Sequence, residues 1–167
     1  VSDKAIFSQI DSAVYISTEN ILPDKQGIYS FGITSPSERV TYFQAEDVLV
    51  SNIRPYFKKM WFATTAGGCN ADVLCFRALD KKYSYLLKSI IYQDSFFDYV
   101  MSGAKGTKMP RGDKTHIMQY QVPCFSESQL HKFNSLASTI ERNQAQNHRE
   151  ISALENAKEM LLATLSR

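Results

Sequence analysis

A chain of 167 residues with 44% hydrophobic and 22% charged side chains lies far from the composition of disordered proteins, and its length suits one domain with an appendage and excludes two full domains. A formal net charge of +2 excludes a uniformly basic nucleic-acid binder, so any electrostatic footprint has to come from local clustering. No run approaches the roughly 18 apolar residues of a membrane-spanning helix, and the first residues lack a basic-then-apolar secretory pattern.

Val1 stands where an initiator Met is expected, which implies a trimmed chain, a processed product or a piece of something longer. Cys69, Cys75 and Cys124 form no C-x-x-C pair and leave one thiol over under any disulfide scheme, so the expectation is a reducing, cytoplasmic setting with the thiols acting as small hydrophobes.

The first two thirds read as strands separated by turn residues. Runs rich in β-branched and aromatic residues predict strands over 13–17, 28–33, 39–44, 48–53, 60–65 and 72–78. Pro23-Asp24, Ser35-Pro36-Ser37 and Gly67-Gly68 supply the turns between them. From Lys82 the period becomes helical, with Tyr85, Leu86, Ser89, Ile90 and then Phe96, Phe97, Val100, Met101 giving one or two short helices that Ser102-Gly103 ends. A polar loop over 104–116 precedes a last predicted strand over 117–122. The expected class is therefore α+β, a curled and mostly antiparallel sheet with one or two short helices, followed by a long C-terminal coiled-coil helix.

That helix is predicted to begin after Ser126, which forms a capping box with Gln129. Neither Pro nor Gly occurs from there to Arg167. Phe133, Ile140, Asn147, Leu154 and Leu161 fall on one heptad position, and Leu130, Ala137, Gln144, Ile151, Lys158 and Leu165 on the other. Eight of these eleven residues are apolar, so the stripe is expected to be a seam that needs a mate, the alternative being a long surface helix packed along the sheet of its own domain. A helix of roughly 40 residues is about 60 Å long, more than a domain of this size covers with its own core. Gln144 and Asn147 sit mid-seam, where buried amides select one register and one partner. The domain organisation expected is 1–125 for the folded body and 126–167 for the helix.

Enzyme motifs are weak. Ser51-Asn52-Ile53-Arg54-Pro55-Tyr56 resembles in part the Asn-Pro-Pro-Tyr loop of amino-methyltransferases, but Ile53-Arg54 interrupts it and no Gly-rich turn follows a first strand to hold S-adenosylmethionine. Asp72, Asp80 and Lys82 match a metal-dependent nuclease only loosely, and solvated strand-end charges explain them more simply. His116, His131 and His148 are too scattered for a metal set with the cysteines, and Arg111-Gly112-Asp113 reads as an ordinary turn. No catalytic or metal-binding residues are assigned.

Two basic clusters carry more information. Lys105, Lys108, Arg111 and Lys114 against Asp113 give +4 − 1 = +3 within one loop, interleaved with Gly103, Gly106, Thr107 and Gly112. Cationic side chains neutralise phosphates, and small residues let backbone N–H groups approach phosphate oxygens. Arg54, Tyr56, Lys58, Lys59 and Trp61 form the second cluster, between two predicted strands, where an arginine can fork onto guanine in a major groove.

The order of these pieces resembles the specificity subunit of type I restriction-modification systems. Glu46-Asp47-Val48-Leu49-Val50-Ser51-Asn52-Ile53-Arg54-Pro55 is similar to that family's "GDILVSxIRP" strand, with Lys58, Gly67-Gly68 and Ala71-Asp72-Val73-Leu74 continuing in the same style. The stretch from Ser102 to Arg111 resembles its "SGTxxPR" loop with Ala-Lys inserted after the glycine, and Gln121 to Gln129 resembles its "xPxxxEQ" approach to the long helix, with Ser128 splitting Glu from Gln. The resemblance implies a non-catalytic, DNA-binding target-recognition domain that reads one half of a bipartite double-stranded site. It implies partners as well: methyltransferase subunits and a restriction subunit, on which S-adenosylmethionine, ATP and Mg²⁺ belong, with no cofactor in this chain. Such subunits carry two recognition domains and two antiparallel helices. One of each here implies either half of a longer polypeptide or a half-size subunit that dimerises through the helix. The alternatives to this reading are a scaffold protein that uses the helix alone and a small Mg²⁺-dependent nuclease.

Overall fold

A computed structural model describes residues 1, 4–6, 14–32 and 38–165, and the chain divides into two compact units, Val1–Cys124 and Phe125–Arg167. In the first unit the strands are β1 (Lys4–Ile6), β2 (Tyr15–Ile16), β3 (Arg39–Phe43), β4 (Val48–Ser51), β5 (Met60–Phe62), β6 (Gly67–Cys69) and β7 (Val73–Phe76). Helices α1 (Ser84–Ile91), α2 (Asp94–Ser102) and the short α3 (Lys114–Ile117) follow. The second unit holds one helix, α4 (Glu127–Leu165).

The strands form two sheets. One has the order β1-β3-β6-β2 and the other β5-β4-β7. Every pairing is antiparallel except that of β2 with β6. The class is α+β with open sheets, as the sequence predicts.

The period-2 alternation of β4 explains how the layers are joined. Leu49 points into a core shared with Ile16, Phe43, Trp61 and Cys69, whereas Val48 and Val50 point into a second core with Ile91, Phe96, Phe97 and Val100. The three-stranded sheet is thus buried on both faces, which is why β4 reads as an unbroken apolar run. Aromatic edges reinforce the second core, with Phe96 meeting Phe76, Phe97 and Tyr120 in T-shaped contacts.

The structure corrects several expectations. Gly67-Gly68 is not a turn but part of β6, between β3 and β2, because a Cβ on Gly67 would lie 2.3 Å from the carbonyl oxygen of Val14. Only a residue without a side chain admits that approach. The segment from residue 28 is not a strand either. It makes isolated bridges, Ile21 to Ile28 and Tyr15 to Gly32.

The strand predicted over 117–122 is absent. Asp113 accepts hydrogen bonds from the backbone N–H groups of Thr115 and His116, and this cap nucleates α3 in its place. Ile117 and Tyr120, three residues apart, then both face the second core, as helical and not alternating spacing requires. The ends of the expected strands at residues 13 and 33, and the Ser35-Pro36-Ser37 turn, lie outside the described residues.

Candidate nucleic-acid interface

The segment after β4 positions the second basic cluster. Arg54 adopts a left-handed conformation, φ 49°, and turns the chain into a short 3-10 segment, Pro55–Phe57, which Lys58 closes with φ 50°. The Lys58 N–H donates to the Pro55 carbonyl at 2.8 Å. This tight reversal leaves Tyr56 and Phe57 exposed, with their rings 4.6 Å apart.

The polar loop over 104–116 is a structured hairpin docked on that reversal. Lys105 and Arg111 exchange two backbone hydrogen bonds of 2.9 Å, closing a tip of five residues in which Gly106 takes φ +93°. A side chain at residue 106 would be strained, so the glycine there is what allows the turn. The base of the hairpin is stitched to the end of β4: the Arg54 N–H donates to the Pro110 carbonyl at 2.8 Å, and the Gly112 N–H to the Asn52 carbonyl at 3.2 Å. These bonds bring the two basic clusters, distant in sequence, against one another.

The carboxylates around them decide which cations remain available. Arg111 reaches Asp72 at 3.3 Å, and Lys105 pairs with Asp113. Lys105 is the main reason the Asp113 carboxyl is held below the usual range, with the backbone N–H groups of His116 and Thr115 adding to it. Counting Asp72, the hairpin carries +4 − 2 = +2. Lys108 and Lys114 are exposed and make no ion pair among the described residues.

A third segment, missed in the sequence, completes the surface. The Asp24 N–H donates to the Phe57 carbonyl and the Lys25 N–H to the Lys58 carbonyl, both at 2.9 Å. Lys25 and Lys58 then converge on Asp94, at 2.6 and 3.1 Å, and Lys25 also lies over the Tyr92 ring. Hydrogen bonds from Lys25 first, and from Lys58, depress the Asp94 carboxyl. Pro23-Asp24 announced the turn, but nothing local says that it lies against residue 58.

Of the predicted contact residues, Tyr56, Lys105, Thr107, Lys108, Arg111 and Lys114 are exposed. Arg54, Lys58 and Lys59 are half-buried, and the Lys59 ammonium donates to the Thr18 carbonyl at 2.8 Å. Trp61 is a correction. It is 8% exposed, packed edge-on against Phe43 and Phe31, because alternation along β5 sends it into the first core. Exposed Tyr29, Phe57 and Met109 were not singled out.

The carboxylates of the nuclease alternative are otherwise engaged: Asp72 faces Arg111, and Asp80 caps a 3-10 turn by accepting from the Lys82 N–H. Among the described residues no group of three or more His, Cys, Asp or Glu side chains is arranged to hold a metal ion. Cys69 is pushed up to about 12 by burial, and Cys75 higher still for the same reason. A thiol held protonated in a core is inert as a nucleophile.

Along α4 the predicted seam residues Ile140, Gln144, Asn147, Ile151, Leu154, Leu161 and Leu165 are exposed, and Phe133 is half-buried. Leu130 is the buried residue of this helix. Its start is the predicted capping box, with the Gln129 N–H donating to Ser126 Oγ at 3.3 Å and the Ser126 N–H to Gln129 Oε1 at 2.9 Å. No described helix is long and apolar enough to cross a membrane.

No family model matches the sequence, and no curated protein is matched by it. Solved structures do match. One is a chain from a study of complex assembly and conformational transition in the type I R-M system, 16% identical, with a TM-score of 0.59 over 98% of this chain and 48% of that one. Another is the HsdS subunit from Thermoanaerobacter tengcongensis, 16% identical, with a TM-score of 0.56 over 95% of this chain and 46% of that one. The chain shares their fold and spans about half their length.

Proposed function

We propose that this chain is the DNA-reading half of a type I specificity subunit: a target-recognition domain followed by an assembly helix, and not a catalyst in its own right. The observation that carries the reading is the docking of the 105–111 hairpin on the 54–58 reversal, in a chain with the fold of HsdS. The docking makes one surface of cations, exposed aromatic rings and small residues. Lys108 and Lys114 neutralise phosphates, Thr107 and the tip amides hydrogen-bond to phosphate oxygens, and Arg54, Tyr56 and Met109 face base edges. S-adenosylmethionine, ATP and Mg²⁺ belong to methyltransferase and restriction subunits that assemble on this scaffold. A protein restricted to helix-mediated interaction is the second reading, favoured by the exposed seam of α4.

Binding of the full chain to a mixed-sequence duplex, followed by fluorescence anisotropy across a salt series, separates the two. A DNA reader gives a log K that falls linearly with log salt, and the slope counts phosphate contacts. A slope of zero leaves only the interaction protein. For the helix, Ile140→Asp with Leu154→Asp is expected to abolish assembly, and an unchanged sedimentation profile would remove α4 from that role.

A further inference from the structure

We infer that Lys25 and Lys58 form a binding site for a backbone phosphate of duplex DNA, and that in the free chain the Asp94 carboxylate occupies this site as an internal stand-in that the phosphate displaces. The inference rests on the proposed function and deepens it: it adds Lys25 to the contact surface and says what restrains binding there.

The backbone sets the two lysines side by side. Lys58 closes the 54–58 reversal with φ 50°, Lys25 takes φ 62°, and its neighbour Asp24 takes φ 51°. All three are non-glycine residues in the left-handed region, which L side chains adopt only where the surrounding structure enforces it. The two turns enforce it on each other, with the Asp24 N–H donating to the Phe57 carbonyl and the Lys25 N–H to the Lys58 carbonyl, both at 2.9 Å. Both lysine side chains are half-buried, and the Lys25 ammonium lies 4.9 Å from the Tyr92 ring centroid. The ammonium groups are thus held in place and do not sweep through solvent.

Two cations so placed repel each other unless an anion lies between them. Asp94, the first residue of α2, supplies it: Oδ1 meets Lys25 Nζ at 2.6 Å, and Oδ2 meets Lys58 Nζ at 3.1 Å. One carboxylate bridges both cations, an oxygen to each, and the three groups sum to +2 − 1 = +1. A phosphodiester offers the same single charge and the same pair of free oxygens, so the place that fits Asp94 fits a backbone phosphate. Asp94 is exposed and can turn out to solvent without disturbing a core, whereas the paired turns keep the lysines where they are.

The site also lies on the proposed reading surface. The reversal is tied at Arg54 to Pro110 of the hairpin and at Lys58 to Lys25, and the exposed Tyr56 and Phe57 stand between the two ties. A duplex that meets these rings finds cations at both ends of the reversal. Displacement then has an electrostatic signature. Each phosphate answered by a lysine releases a condensed counterion, while a displaced Asp94 takes up a cation from solution and offsets about one of them. An ion pair that only ties α2 to the reversal has no such signature.

Asp94→Asn keeps the shape of the side chain and removes its charge. In duplex anisotropy across a salt series the variant is expected to bind more tightly at low salt, with a slope steeper than that of the unmodified chain by about one. Lys25→Gln with Lys58→Gln is expected to flatten the slope. Asp98→Asn, the same charge change one turn along α2 at another exposed position, controls for charge at a distance. A second measurement needs no substitution. The Asp94 carboxyl carbon, followed by NMR in the full chain, is expected to titrate at higher pH with duplex bound than without, because the lysines that hold it down have turned to phosphate. An unmoved Asp94 titration overturns the proposal, as does an Asp94→Asn slope equal to that of the unmodified chain or matched by Asp98→Asn. Inorganic phosphate at the same ionic strength is the further control, and if it alone moves the Asp94 resonance as far as duplex does, the site takes free anions and the backbone assignment falls. In each of these cases a salt-dependent affinity of the unmodified chain leaves the DNA reading standing. No salt dependence in the unmodified chain overturns both.

Discussion

The Arg111 guanidinium lies 3.3 Å from the Asp72 carboxylate, so this cation of the hairpin is already partly answered within the protein. Lys108, at the tip of the same hairpin, has no such partner among the described residues. The two cations are therefore expected to behave differently. Lys108→Ala should weaken duplex binding across all sequences and lower the salt slope by about one, as loss of a single phosphate contact does. Arg111→Ala should change the slope less and base preference more, because it frees the Asp72 carboxylate that the guanidinium now answers, while the backbone bonds that close the hairpin remain. Anisotropy titrations of the two variants at several salt concentrations check this; identical slopes for both would contradict it.

Trp61 is the sole tryptophan and is 8% exposed in the first core. Its fluorescence is expected to be blue-shifted in the folded chain, indifferent to added duplex, and red-shifted on unfolding. Trp61→Ala should destabilise the first unit by about 3–5 kcal/mol in urea titrations. Strong quenching of the native emission by DNA would return this residue to the contact surface.

Asp113 and Asp94 both titrate below the ordinary carboxylate range, because lysines hydrogen-bond to them in the folded chain. A carboxyl whose folded pKa is depressed stabilises the fold above its unfolded pKa of about 4, and that contribution is lost as pH falls through the folded value. The hairpin and the Lys25–Asp94–Lys58 cluster are thus expected to stay unchanged from neutral pH down to about 5 and to loosen only below about 4. Carboxyl carbon shifts followed by NMR report this directly. The Asp94 side chain is 59% exposed and that of Asp113 21%, so added salt should shrink the depression more at Asp94 than at Asp113.

What was legible in the sequence follows the range of the forces involved. The β4 run, the switch to helical period after Lys82, the Ser126–Gln129 cap and the long helix behind it are local patterns, and each stands in the structure. Gly67 was misread because glycine marks both turns and close backbone approaches, and only the neighbouring Val14 carbonyl tells them apart. The 117–122 segment was misread because its β-branched and aromatic residues favour a strand, until the Asp113 cap commits the chain to a helical turn. The clustering of basic residues is visible along the chain, whereas the pairing of some of them with Asp72 and Asp94, distant in sequence, is a tertiary fact. The aromatic pair Tyr56 and Phe57 is exposed while Trp61 is buried, since the left-handed Arg54 and Lys58 break the strand alternation at the reversal.

The capping box of α4 offers the cleanest test of how this helix is held. Ser126 and Gln129 satisfy each other's backbone N–H groups, two of the donors that the first turn would otherwise leave to water. Ser126→Ala removes one acceptor and should cost about 1 kcal/mol. Gln129→Ala removes the other, and the double variant should lose less than the sum, because each side chain is oriented by the other: Ser126 Oγ donates to Gln129 Oε1 at 3.0 Å. The seam residues of α4 are exposed, so propensity and caps weigh more here than in a helix packed on a core. Circular dichroism melts at fixed protein concentration measure the loss. If the helix is further stabilised by pairing, raising the concentration should recover the melting temperature of both single variants, whereas a concentration-independent deficit would mean that α4 stands on its own.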